Sequence, residues 1–294
     1  VRDRIFNLSE EDYGALNVTS IKQNNQTLMF QENETVLLVR LKKPLLPGKK
    51  TTLNMVFEGQ VPLQIRRSGK MSKEGVHLTM TQWFPKLVEY DHEGWHPNPY
   101  IGREFHGVWG DYSVNITIDK SYVVGGTGYL QNADEIGHGY SKKETKQTDS
   151  STNTWKFYAP NVHDFAWAAD PDYIHDITKS SSGVDLHFFY KPSVNIDDWK
   201  KLQDDTVKLM DYFEENLGPY PWKQYSVIQG GDGGMEYAMC TMITGERSYP
   251  SLLGVTNHEL AHTWFHHILA TNEAKHPWMD EGFTVFISAL AENH

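Results

Sequence analysis

Cysteine is almost absent from this chain, since Cys240 is the only one among 294 residues. A single thiol excludes an internal disulfide. This composition fits a reducing cytosol but is also compatible with an oxidising compartment. The first residue is Val1 rather than methionine, which indicates a processed or excerpted chain and removes any signal segment from view. The localisation therefore stays open between cytoplasmic and exported.

Long apolar runs and basic stretches are also missing. The longest apolar run covers residues 283–291 and is interrupted by Thr284 and Ser288, whereas a spanning helix needs about 20 apolar residues. The formal net charge is −11, and Lys and Arg are scattered singly or in short pairs. We therefore expect no membrane segment in this chain, and no nucleic-acid partner, because no basic stripe is present to neutralise phosphates.

The remaining composition is that of a soluble globular protein with room for two cored domains. Up to about residue 190, apolar and polar residues alternate in short runs such as 35–41, 52–57 and 112–118, with Gly, Pro and Asn between them. This period of two predicts antiparallel sheet. From Ile196 to Leu217 the apolar spacing becomes helical and ends at a Gly-Pro pair. A strand at 225–229 and helices at about 252–269 and from Trp278 onward are predicted to follow.

A metal-binding motif lies on the helix predicted at 252–269. Residues 258–262 read H-E-L-A-H, and residues four apart share one face of a helix, so His258 and His262 can reach the same ion. Such a match can arise by chance, but Glu281 follows His262 after 18 residues, on the next predicted helix. Two histidines, a distant carboxylate and the adjacent Glu259 form the donor set and base of a zinc peptidase.

Other histidines near this motif are interpreted as structural. His266 continues the row of His258 and His262, but at about 1.5 Å rise per residue it lies about 12 Å from His258, too far to share its metal. His267 and His276 have no partner at a ligand spacing.

Upstream, residues 233–237 read G-G-M-E-Y between the predicted strand and the zinc helix. A backbone free of side chains at a metal site can lie against an extended peptide and form hydrogen bonds with it. The Glu236 carboxylate would then lie where it can pair with a cationic group of that peptide. By itself the motif is weak, since such a segment is more often an ordinary glycine-rich turn.

Taken together, H-E-x-x-H, 18 residues, Glu and the upstream G-x-M-E resemble the aminopeptidase N-like family of gluzincin zinc metallopeptidases. The segments Q-W-F-P at 82–85 and V-H-D-F-A-W at 162–167 are similar to a bacterial branch of that family. The resemblance implies an α+β fold of two domains, an N-terminal antiparallel β-saddle over 1–190 and a thermolysin-like, mostly helical zinc peptidase domain over 191–294.

The resemblance also implies roles for individual residues. His258, His262 and Glu281 would bind one Zn²⁺ per chain, and Glu259 would be the catalytic base. The substrate-binding residues would be Gly233, Gly234, Glu236 as anchor of the N-terminal ammonium, and Gln82.

Two features depart from the family pattern. Tyr237 stands where the family usually has asparagine. Family members also have a tyrosine downstream that stabilises the oxyanion, whereas only 13 residues follow Glu281 and none is tyrosine. We therefore expect the catalytic domain to be C-terminally incomplete.

The predicted function is a zinc-dependent aminopeptidase acting on peptides with a free N-terminus. Two alternatives stay open: a zinc endopeptidase of thermolysin type, and a catalytically weak, zinc-stabilised peptide-binding fragment. The sequence indicates neither the preferred N-terminal side chain nor the oligomeric state.

Overall fold

The structure is a computed structural model that describes residues 2–99, 105–141, 143 and 150–294. Short strands dominate the first two thirds of the chain, with two short helices, α1 (Arg2–Phe6) and α2 (Ala133–Ile136). The strands are β1 (Ala15–Gln23), β2 (Gln26–Thr27), β3 (Met29–Asn33), β4 (Val36–Arg40), β5 (Leu53–Gln60), β6 (Gly69–Lys70), β7 (Leu78–Met80), β8 (Tyr90–Asp91), β9 (Gly94–Trp95), β10 (Gly110–Asp119), β11 (Val123–Gly126), β12 (Tyr129–Leu130), β13 (Thr152–Val162), β14 (Trp167–Asp170), β15 (Ile174–Lys179) and β16 (Asp185–Tyr190).

The sheets formed by β1 to β14 are antiparallel, as the alternating pattern predicts. Their strand orders are β2-β1-β5, β10-β13-β12 and β11-β14-β7-β6, with two hairpins, β3-β4 and β8-β9. The predicted runs at 35–41, 52–57 and 112–118 become β4, β5 and β10. The fold class, α+β with an antiparallel N-terminal part, is confirmed.

The elements after residue 190, with the turns between them, carry all the predicted site residues except Gln82. They are α3 (Ile196–Leu217), β17 (Gln224–Gln229), β18 (Met235–Tyr237), β19 (Cys240–Ile243), α4 (Tyr249–His262), a π-helical segment (Thr263–Ile268), a second π-helical segment (Trp278–Gly282) and α5 (Phe283–Glu292). The bounds of α3 are those that the helical spacing predicts. No helix in the described ranges has the length and apolar character needed to cross a membrane.

The helix predicted over 252–269 differs from the observed one in its last two turns. The α-helix ends at His262 and continues as a π-helical segment, in which Phe265 leaves helical geometry at φ −97° and ψ 22°. A π turn adds a residue and rotates the side chains beyond it. Both His266 and His267 are buried as a result, at 3% and 4% exposure.

A five-stranded sheet supports the site, in the order β15-β16-β17-β19-β18. Its three central strands are parallel, and β15 and β18 are antiparallel edges. The domain boundary predicted after residue 190 stays a prediction. The strands β15 and β16 precede residue 190, but β16 pairs with β17, which follows it. The sheet therefore favours a domain boundary before β15.

The main hydrophobic core lies between this sheet, α3 and α4. Phe188 from β16, Trp199 and Phe213 from α3, and Leu260 from α4 are fully buried in one cluster. Burying each such side chain contributes about 1.5–3 kcal/mol. This packing holds the helix that bears the H-E-x-x-H motif on a rigid base.

Candidate metal centre and substrate cleft

The two histidines of the H-E-x-x-H motif lie on the last turns of α4. That helix begins with Pro250 in its first turn, a position where the missing N–H costs no hydrogen bond. The Nε2 atoms of His258 and His262 are 3.1 Å apart. The His262 side chain is fully buried, whereas that of His258 is 27% exposed, so the pair opens towards solvent on one side only.

Glu281, in the second π-helical segment, completes a three-ligand cluster with this pair. Its Oε2 atom is 3.2 Å from His258 Nε2 and 3.8 Å from His262 Nε2. Ligand atoms at tetrahedral zinc lie about 3.4 Å apart, because zinc–ligand bonds are about 2.0–2.1 Å long. All three candidate ligand atoms fall near that spacing. The donor set therefore fits a single zinc ion.

Asp280 orients the His262 imidazole through Nδ1, the ring nitrogen that does not face the other candidate ligands. Its Oδ1 atom is 2.6 Å from His262 Nδ1, and both side chains are fully buried. Thr284 Oγ1 is 3.2 Å from the same nitrogen. A carboxylate that accepts the Nδ1 proton leaves the Nε2 lone pair directed at the metal position. Asp280 is not among the residues predicted from the sequence, although its position directly before Glu281 could have indicated it.

The field of nearby carboxylates makes this site attractive to a cation. Burial alone would lower the pKa of His262, but Glu236, Asp280 and Glu259 together raise that pKa to about 10. Without a metal ion, a proton on His262 therefore balances part of the negative charge.

Glu259, the predicted base, is only 6% exposed. Its Oε2 atom is buried and has no hydrogen-bond partner among the described residues. Burial, followed by repulsion from the Glu236 carboxylate, raises the pKa of Glu259 well above its usual range, and His262 partly opposes this. A carboxylate in this setting accepts a proton readily near neutral pH.

Glu236 lies in β18, the edge strand of the five-stranded sheet. Its side chain is 6% exposed, and its Oε2 atom is 4.0 Å from His262 Nε2. The structure thus brings Glu236 to the same cluster as Glu259 and the candidate zinc ligands.

The two glycines before β18 have different surroundings. A Cβ atom on Gly234 would meet Glu259 Oε1 at 2.5 Å and Val255 Cγ2 at 2.8 Å, so any larger residue would displace that carboxylate from its observed position. A Cβ atom on Gly233 would meet nothing closer than Arg247 Nη2 at 3.7 Å. Arg247 donates a hydrogen bond to the Gly233 carbonyl, which anchors the turn to the segment before α4.

Gln82 and Tyr237, two residues singled out in the sequence, lie next to each other. Burial raises the pKa of the Tyr237 hydroxyl, and the neighbouring Thr81 and Gln82 side chains partly oppose that shift. Gln82 adopts a left-handed backbone conformation with φ 48°, which is uncommon for residues other than glycine. Gln82 therefore lies beside Tyr237, which belongs to β18, the strand that also bears Glu236.

Comparison with known proteins gives two kinds of match, while no protein-family model matches the chain. A leukotriene A-4 hydrolase homolog of Botryotinia fuckeliana is 34% identical over 96 residues, covering 30% of this chain and 14% of that protein. Leucine aminopeptidase 2 of Chaetomium globosum is 34% identical over 96 residues, covering 30% and 15%. The matched segment is thus a small part of these relatives' length.

Solved structures match over most of the chain. An M1 zinc metallopeptidase from Deinococcus radiodurans superposes with a TM-score of 0.68 at 18% identity, covering 95% of this chain and 60% of that one. A mutant of that enzyme bound to a Tyr-Ser-Ala substrate gives a TM-score of 0.67 at 17% identity, covering 95% and 61%.

The chain therefore has the fold of the M1 zinc metallopeptidases. Its homologues in sequence are named leucine aminopeptidase 2 and leukotriene A-4 hydrolase, which agrees with the aminopeptidase N-like family of gluzincins.

Proposed function

We propose that this protein is a zinc-dependent aminopeptidase that removes N-terminal residues from peptides. The observation that carries the proposal is the convergence of His258, His262 and Glu281 beside two further buried carboxylates, Glu259 and Glu236. Three ligands suit a catalytic zinc, because structural zinc sites have four. The names of the sequence relatives also support this activity.

A zinc ion held there supplies a Lewis acid that lowers the pKa of water and polarises a carbonyl. Glu259 takes the proton from the attacking water on its carboxylate. The same carboxyl then gives that proton to the amine nitrogen that leaves when the peptide bond breaks. Its burial excludes bulk water from this exchange.

Glu236 provides the selectivity for a free N-terminus. A buried carboxylate is stabilised when it pairs with an ammonium group, and an acetylated terminus has no positive charge to offer in that pair. Within an endopeptidase of thermolysin type, a buried acid at this position would have no such partner. The location of Glu236 beside His262 therefore favours exopeptidase action.

The backbone of β18 is suited to hold the substrate chain. β18 is an edge strand, and an edge offers free N–H and C=O groups to which an extended peptide can add. Gly233 and Gly234, which precede this strand, lack side chains that would obstruct the approach.

The test is hydrolysis of matched aminoacyl reporters, one series with a free amine and one acetylated, before and after removal of metal by a chelator. We expect turnover of the free series only, loss with the chelator and recovery with added Zn²⁺. Equal hydrolysis of both series would reject the aminopeptidase and favour the endopeptidase. Stoichiometric peptide binding without turnover would favour the binding fragment.

A further inference from the structure

A second group of buried histidines lies beyond the catalytic cluster. His163 is in the connection between β13 and β14, while His266 and His267 are in the π-helical segment that follows α4. Their exposures are 6%, 3% and 4%. Residues from two distant parts of the chain thus meet in the interior.

The ring nitrogens of these residues converge. Each histidine offers one nitrogen within 4.8 Å of those offered by the other two. His266 Nε2 is 3.2 Å from His163 Nε2. Hydrogen bonding within the group involves His266 Nε2 and His163 Nε2 but leaves other nitrogens out. Both nitrogens of His267 and Nδ1 of His266 are buried without a hydrogen-bond partner among the described residues.

The surroundings limit what can satisfy these nitrogens. The ring of Trp109 lies 5.0 Å from that of His163 and 6.3 Å from that of His267, and the ring of Trp222 lies 6.5 Å from that of His267. Burial lowers the pKa of all three imidazoles, to about 4 for His163. Neutral imidazoles in an aromatic enclosure offer lone pairs, which metal ions of the zinc type prefer.

One carboxylate adjoins the group. Glu273, 2% exposed, contacts His266 Nε2, and its Oε2 atom accepts a hydrogen bond of 3.1 Å from the Phe105 backbone N–H. An acidic partner of this kind orients a metal-bound imidazole or supplies a further oxygen ligand, and its charge offsets that of a buried cation.

We propose that His163, His266 and His267, assisted by Glu273, form a second binding site for a divalent transition metal such as zinc. None of the four is a proposed ligand of the catalytic zinc, although a Glu273 oxygen lies within 4.8 Å of oxygens of Glu236 and Asp280, so the two sites adjoin. The ion in the second site is structural. It links the connection after β13, which bears His163, to the segment after α4, which bears His266 and His267. Through Glu273 it also links both to the loop before Glu281.

Metal analysis of the purified protein and its variants tests this site separately from the proposed activity. We expect two zinc ions per chain in the unaltered protein and one in Glu281→Ala, which weakens the catalytic site alone. Adding His267→Asn or His163→Gln to Glu281→Ala should abolish the remaining ion. The control is Glu281→Ala combined with His175→Gln, which should retain the ion. His175 belongs to a different buried histidine pair, with His187.

Cobalt substitution provides a second measurement. Co²⁺ added to metal-free Glu281→Ala protein should give the visible absorption of a tetrahedral site, and His267→Asn should remove it. Folded Glu281→Ala protein that binds no metal, or metal retained when either histidine is replaced, would overturn the proposal. Metal retained by Glu281→Ala, together with no peptidase activity in the unaltered zinc-loaded protein, would support this site and reject the proposed function instead.

Discussion

The position of one proton on His262 determines whether its Nε2 atom can bind a metal ion. The 2.6 Å contact with Asp280 holds that proton on Nδ1. This contact joins two fully buried side chains, so water cannot substitute for the carboxylate. Asp280 is therefore expected to contribute to zinc affinity without touching the ion.

Asp280→Asn tests this contribution. The amide keeps the shape but loses the charge, so we expect zinc affinity to fall by about 10–100-fold. Competition with a chromophoric chelator measures the affinity. Asp211→Asn is the control, because Asp211 binds Ser181 at an exposed position on α3. Equal affinities for both variants would show that Asp280 has no role in metal binding.

Glu236→Gln should change both selectivity and pH dependence. The Glu236 charge is a cause of the raised pKa of Glu259, so its removal lowers that pKa. A base must be deprotonated to act, and the acidic limb of the kcat/KM profile should therefore move to lower pH. Preference for free over acetylated reporters should decline at the same time. A limb that stays fixed or moves to higher pH would contradict the proposed coupling.

At the scale of elements, the turn before β18 sets the position of the catalytic base. Gly234→Ala introduces a Cβ atom 2.5 Å from Glu259 Oε1, whereas Gly233→Ala meets only Arg247 Nη2 at 3.7 Å. A base displaced by about 1 Å can reduce activity about 100-fold. We expect a loss of that order in kcat for Gly234→Ala and a much smaller one for Gly233→Ala, with circular dichroism unchanged in both. Similar kinetics for the two variants would reject this steric account.

Local patterns in the sequence predict the regular elements well. The bounds of α3 follow from apolar spacing and from the Gly-Pro stop, and the strands β4, β5 and β10 follow from alternation. His258 and His262 come together because helix periodicity, a short-range property, places residues four apart on one face. These predictions need no knowledge of tertiary contacts.

The remaining features depend on tertiary contacts. The π-helical segment at 263–268 buries both His266 and His267, and His266 meets His163, which lies 103 positions earlier in the chain. His266 continues the row of His262 along the sequence, and no spacing in the sequence links it to His163. The interpretation of His266 as unable to share the catalytic metal agrees with its contacts, but its pairing with His163 could not be predicted.

At the scale of the molecule, the five-stranded sheet joins the two predicted domains. Leu186, Phe188, Phe189 and Tyr190 of β16 are fully buried, and β16 pairs with β17 in parallel. A fragment of residues 191–294 would lack this strand and expose the edge of β17.

We therefore expect the 191–294 fragment to lack a cooperative thermal transition in circular dichroism. A fragment that begins at residue 171 restores β15 and β16 and should have more ordered structure. Cooperative unfolding of the shorter fragment would instead support the boundary after residue 190.

The short edge strand β18 has a consequence for which peptides the protein accepts. Main-chain amides are common to every residue, so docking along an edge discriminates poorly among side chains. A strand of three residues also engages only the leading portion of a long polypeptide. Under the proposed activity, peptides of varied composition and length should therefore compete for the enzyme on similar terms, and discrimination should concentrate on the first residue.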